Sequence, residues 1–87
     1  MSKEQLWYVY IIKASDNSLY TGVTTDVERR FTEHFSTAKG ARFFRGRAPL
    51  KVVYTETHPD RSSAQSRESA IKMLSRDKKL ELIESKL

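Results

Sequence analysis

Five side chains of this 87-residue sequence have types and spacing that could do chemistry: Tyr10, Tyr20, Arg30, His34 and Glu68. A guanidinium can hold a phosphate and stabilise charge that builds on it. An imidazole can hydrogen-bond a phenol or phosphate, or shuttle a proton. A carboxylate that falls on an apolar helical stripe is costly to bury unless it is paired or bound to a metal. Each residue also has an ordinary reading. Strand tyrosines are usually core aromatics whose hydroxyl reaches a partner. Arg30 stands beside Arg29 as a surface arginine would, and a lone helix histidine is more often structural. Glu68 can pair with Lys72 at i+4.

The elements that must position these groups can be read along the chain. Trp7 to Ile12 is apolar and aromatic without alternation, which predicts a strand covered on both faces. Ser15-Asp16-Asn17-Ser18 is a turn, because Asp and Asn bond their own backbone and tolerate left-handed geometry. Leu19 to Val23 is a second strand, so the pair predicts a β-hairpin with Tyr10 and Tyr20 on neighbouring strands. Gly22 marks a place where another group approaches closely. Thr25 and Glu28 predict a capping box for a first helix, whose Val27, Phe31 and Phe35 form one face. Arg30 and His34 are an i, i+4 pair beside that face. Leu50 to Glu56 predicts a third strand, broken by Thr57 to Asp60. Ser62 and Gln65 predict a second capping box, on a helix with Ala64, Ile71 and Leu74 along one stripe. Glu68 falls four after Ala64 and three before Ile71. Ser75 caps a last helix with Leu80, Ile83 and Leu87 inward. The order ββαβαα predicts an α+β domain: a small three-stranded antiparallel sheet covered by helices.

Ser36 to Pro49 lacks clear periodicity. It holds Lys39, Arg42, Arg45 and Arg47 with no acid, interleaved with Phe43 and Phe44. That composition reads as a phosphate-tracking patch in which phenylalanines could stack unpaired bases. At least one of the two rings is expected to anchor the segment to the core instead. A single helical turn is expected around Ala41 to Arg45. His58, placed in a loop before proline, receives no role.

Sixteen basic residues stand against eleven acidic ones, for a net charge of +5. That balance favours a polyanionic partner or simply a soluble surface. With no cysteine there is no disulfide and no zinc thiolate site, which fits the cytosol. No signal segment and no membrane span are expected. The length fits one domain over residues 1–87.

Tyr8-Val9-Tyr10 and Tyr20-Thr21-Gly22, with nine residues between Tyr10 and Tyr20, resemble the two halves of the GIY-YIG nuclease signature. Arg30, His34 one helical turn later, and Glu68 on a downstream helix match residues that this family keeps. The chain is most similar to the small stand-alone YhbQ-like branch. Tyr8 stands in place of the signature's first glycine, Val23 stands where some members have lysine, and no asparagine follows Glu68. The resemblance implies a divalent-metal-dependent endonuclease. Tyr10 and Tyr20 would position and deprotonate the attacking water, with Tyr20 nearer the nucleophile. A tyrosine pKa near 10 must then be lowered by a cation such as Arg30. Arg30 would hold the scissile phosphate, and Glu68 would hold one Mg2+ or Mn2+ ion, weakly without substrate. The implied partner is nucleic acid, DNA ahead of RNA, bound partly through Lys39, Arg42, Phe43, Arg45 and Arg47. Two other readings fit the same residues: a nucleic-acid binding module with weak or no cleavage, and an interaction domain for a larger nuclease complex.

Overall fold

The computed structural model describes residues 5–36 and 41–86. Strands β1 (Trp7–Ala14), β2 (Leu19–Thr24) and β3 (Pro49–His58) form one antiparallel sheet in the order β2-β1-β3. Helix α1 (Val27–Glu33) and a 3-10 turn (Arg42–Phe44) lie between β2 and β3, and α2 (Arg61–Lys72) and α3 (Arg76–Glu84) follow. The architecture is the α+β order ββαβαα expected from the sequence.

The central position of β1 explains its unbroken apolar run. Val9, Tyr10, Ile11 and Ile12 are all essentially inaccessible. Val9 and Ile11 pack with Tyr54, Ala64 and Ile71 on one face, whereas Tyr10, Ile12 and Ala14 pack with Phe44 on the other. Alternate residues of one strand therefore serve two half-cores. Burying four such side chains stabilises the fold by roughly 6–12 kcal/mol before entropy is counted. The hairpin turn closes as its sequence suggests. Asn17 takes a left-handed φ of 69°, and the Ser18 amide donates to Asp16 Oδ1 at 3.1 Å.

Several local expectations need correcting. The cap of α1 is Asp26, not Thr25: its Oδ1 accepts from the Arg29 amide at 3.0 Å, and a carboxylate there also faces the positive end of the helix. The Thr24 hydroxyl meanwhile binds the Asp26 amide. The cap of α2 is likewise Asp60, not Ser62, accepting from the Ser63 amide at 2.8 Å. Ser75 does cap α3, through the Lys78 amide. Strand β3 continues through His58, so that residue is not in a loop; its pairing runs as far as Trp7 at the start of β1. Phe35, Leu74 and Leu80 are exposed, not inward. Phe35 and Leu74 lie just past the ends of their helices, and Leu82 and Ile83 supply the inner side of α3. Leu87 and Lys39 lie outside the described residues.

Candidate active site

The site is assembled where β1 meets β2. Tyr10 is paired opposite Gly22, and its phenol crosses above that glycine. A Cβ at position 22 would stand 2.6 Å from Tyr10 Oη and 2.8 Å from its Cζ, so no other residue leaves the ring in place. The close approach anticipated at Gly22 is therefore made by Tyr10 itself.

Tyr10 Oη lies 3.0 Å from Nε2 of His34, the residue that ends α1. The imidazole is 3% exposed. Burial, and then the charge of Arg30, pushes its pKa down to about 4, against the opposing pull of Glu33. His34 is therefore neutral at pH 7, with one ring proton. The Ala41 amide donates to Nδ1 at 3.4 Å. An amide can only donate, so this bond assigns the ring proton to Nε2, which donates to Tyr10 Oη. The tyrosine's own proton is then available to another acceptor.

Tyr10 is held as a neutral phenol. Burial first, then the charge of Tyr20 raise its pKa well above the ordinary tyrosine value, although Arg30 pulls the other way. Arg30 reaches both sides of the site. Its Nη1 binds Glu33 Oε1 at 3.0 Å, and its charge acts on both Tyr10 and Tyr20. Helix α1 thus delivers Arg30 and His34 to the tyrosines, as their spacing indicated.

Tyr20 sits in an aromatic cage. Its ring centroid lies 6.2 Å from Tyr10, 5.1 Å from His34, 5.2 Å from Phe43 and 5.1 Å from Phe44. Phe44 is the ring that anchors the segment to the core: it is buried and also contacts His34 at 4.6 Å. Phe43 is partly buried, and the Arg47 guanidinium lies 4.4 Å from its centroid. Arg42 and Arg45 are exposed. Tyr8, on the same strand face as Tyr10, lines a surface pocket with Thr25, Val27, Glu28 and Thr55.

Glu68 lies on α2, which buries Ala64 and Ile71 against the Val9 and Ile11 face of the sheet. Its side chain is 19% exposed, and its Oε2 is 3.2 Å from Lys72 Nζ, the i+4 pair foreseen as its ordinary partner. The contacts described above join the tyrosines, Arg30 and His34; the ion pair of Glu68 belongs to its own helix.

Sequence reasoning missed two groups. The Ala41 amide, which sets the His34 tautomer, carries no side-chain signal. Phe44, read from sequence as a base-stacking or anchoring ring, also forms a wall around Tyr20 and His34. A second polar cluster was missed at the far end of β3. Glu56 accepts from Tyr54 Oη, from Arg67 Nε at 3.0 Å, and pairs with His58 Nε2 at 2.7 Å. Its signal was present in alternation: Tyr54, Glu56 and His58 share one strand face.

Residues 6–81 match the model of the GIY-YIG catalytic domain. A UPF0213 protein of Desulfotalea psychrophila is 53% identical over 79 residues, covering 91% of this chain and 72% of that protein. The UPF0213 protein YhbQ of Escherichia coli is 44% identical over 77 residues, covering 88% of this chain and 76% of its own length. The solution NMR structure of a UPF0213 protein from Bacillus halodurans superposes with a TM-score of 0.60 at 46% identity, covering 93% of this chain and 85% of that one. A solution NMR structure from E. faecalis gives a TM-score of 0.64 at 37% identity, covering 98% and 90%. By the match over residues 6–81 and the identity to these relatives, the chain belongs to the GIY-YIG catalytic-domain family.

Proposed function

We propose that this protein is an endonuclease that hydrolyses phosphodiester bonds in nucleic acid with the help of one divalent ion. The observation that carries the reading is the Tyr10 phenol folded over Gly22 onto His34, with Tyr20 and Arg30 beside it. Two phenols and a permanent cation held in one cluster suit in-line attack of water on a phosphate. The roles divide by environment. Tyr10, kept protonated, is the fixed hydrogen-bond donor. Tyr20, as its phenolate with its own proton given up to solvent, orients the attacking water and takes that water's proton. Arg30 binds the phosphate and stabilises the charge that develops there. His34, neutral, holds Tyr10 in place.

Glu68 is the residue that would hold the ion. A single carboxylate whose partner is a largely exposed lysine fits hydrated Mg2+ or Mn2+, with waters and phosphate oxygens as the remaining ligands. It does not fit a protein cage, and among the described residues no three His, Cys, Asp or Glu side chains are grouped to make one. The i+4 pair with Lys72 is worth about 0.3–0.5 kcal/mol, so exchange for a cation costs little. When bound, the ion supplies neutralisation of phosphate charge.

The net charge and the exposed Arg42 and Arg45 support a polyanionic substrate. Digestion of a panel of supercoiled, linear, branched and single-stranded DNA and of RNA, in magnesium and in chelator, tests the reading. Cleavage is expected only with the divalent ion. Tight binding across the panel with no cleavage at protein excess would reduce the domain to a binding module.

A further inference from the structure

We propose that Arg47 is a positioning residue for Tyr20: it clamps the 3-10 turn against the tyrosine ring and leaves the phosphate to other cations. Four contacts converge on this clamp. The Arg47 guanidinium lies over the Phe43 ring at 4.4 Å, and Phe43 in turn packs on Tyr20. Arg47 Nε is 3.4 Å from Asp16 Oδ2 in the β1–β2 turn. Arg47 Nη1 donates to Ser18 Oγ at 3.4 Å. Beside it the backbone is clasped twice: the Ser15 amide donates to Ala48 O at 2.8 Å, and the Ala48 amide donates to Ser15 Oγ at 3.0 Å.

These contacts join the two segments that flank Tyr20. The turn ends one residue before β2, whose second residue is Tyr20, and the 3-10 turn supplies the two phenylalanines that cover its ring. Arg47 connects the two segments with one planar group that stacks on an aromatic face and forks to two oxygen acceptors. Lysine can do neither. Asp16 also offsets the charge of Arg47, so this cation offers a phosphate less than the exposed Arg42 and Arg45 do. Hydrogen bonds from the Ser18 hydroxyl and amide hold the Asp16 carboxyl below its usual pKa, and Arg47 adds to the effect. The acid is therefore ionised wherever the protein is folded near neutral pH.

The test uses Arg47→Lys and Asp16→Asn in the full chain, with two readouts. The first is the NMR spectrum of the labelled Tyr20 ring in the free protein, where Phe43 imposes a ring-current shift. The second is the cleavage rate at saturating substrate, set against affinity and its salt dependence. This second readout rests on the nuclease reading; the first does not, so an inactive wild type leaves the clamp still decidable. Arg47→Lys is expected to move or broaden the Tyr20 resonances and to lower the saturated rate by about tenfold or more. Affinity and salt slope should stay as in wild type. Asp16→Asn, which leaves position 47 untouched, should move the same resonances in the same direction. Unchanged Tyr20 resonances in both variants overturn the proposal. So does a salt slope reduced by about one unit in a third variant, Arg47→Gln, which loses the charge that lysine keeps and so reports a lost phosphate contact.

Discussion

The Tyr10 hydroxyl occupies the space where position 22 would carry a side chain, 2.6 Å from an ideal Cβ on Gly22. One residue's absence of a side chain thus sets the other's reach to His34. Gly22→Ala should push the buried phenol aside and break its bond to His34. Overpacking of this kind costs about 1–3 kcal/mol. Denaturant unfolding of the variant measures it, and a change under about 0.5 kcal/mol would mean that the ring has room to yield.

His34 gives a pH signature. Its pKa in the fold, about 4, is below the ordinary histidine value near 6.5. The unfolded chain therefore binds its proton first as pH falls. The sign is that stability is unaffected above pH near 6.5, falls between there and about 4, and levels off below. Over that window the loss is on the order of 1–3 kcal/mol. Melts at pH 7.5, 5.5 and 4.5 should show the loss in wild type and a smaller one in His34→Gln. Parallel curves for the two proteins would place the titration elsewhere.

The tyrosines should separate by substitution. Tyr20→Phe removes only a hydroxyl and is expected to slow cleavage by roughly 10²–10⁴ with affinity kept, as for loss of a proton-transfer group. Tyr10→Phe should slow cleavage and also destabilise, because His34 Nε2 loses its buried partner. Full activity in Tyr20→Phe with a dead Tyr10→Phe would reverse the two roles.

The sequence made the central strand and the helix spacing readable for physical reasons. An apolar run without alternation has few homes other than a strand buried on both faces, and Arg30 and His34 one turn apart must leave α1 together. What was not readable depended on competition or on distance. Thr24, Thr25 and Asp26 can all cap a helix, as can Asp60 and Ser62, and the choice between neighbours lies in backbone angles. Asp16 and Ser18 meet Arg47 about thirty residues on, through a loop without periodicity. Glu56 gathers Arg67 from another element, which alternation along β3 alone does not reveal.

Binding should be salt-dependent through the exposed arginines. Each cation that touches a phosphate contributes roughly one unit to the slope of log affinity against log salt. Arg42→Ala and Arg45→Ala together should flatten that slope by about two units while leaving the fold intact. A double variant with unchanged affinity and slope would remove this segment from the interface.

Glu68 is where nuclease and bystander readings part most sharply. Glu68→Gln keeps the volume and loses the charge that would hold a cation, and its pair with a largely exposed lysine is worth under about 1 kcal/mol. The decisive measurement is magnesium-dependent nicking of nucleic acid by wild type and Glu68→Gln at matched folded concentration. Wild type should cut in magnesium and stop in chelator, and Glu68→Gln should fail to cut while melting within about 1 kcal/mol of wild type. A Glu68→Gln protein that cuts as fast as wild type would contradict the metal role, and a wild type that never cuts would contradict the enzyme.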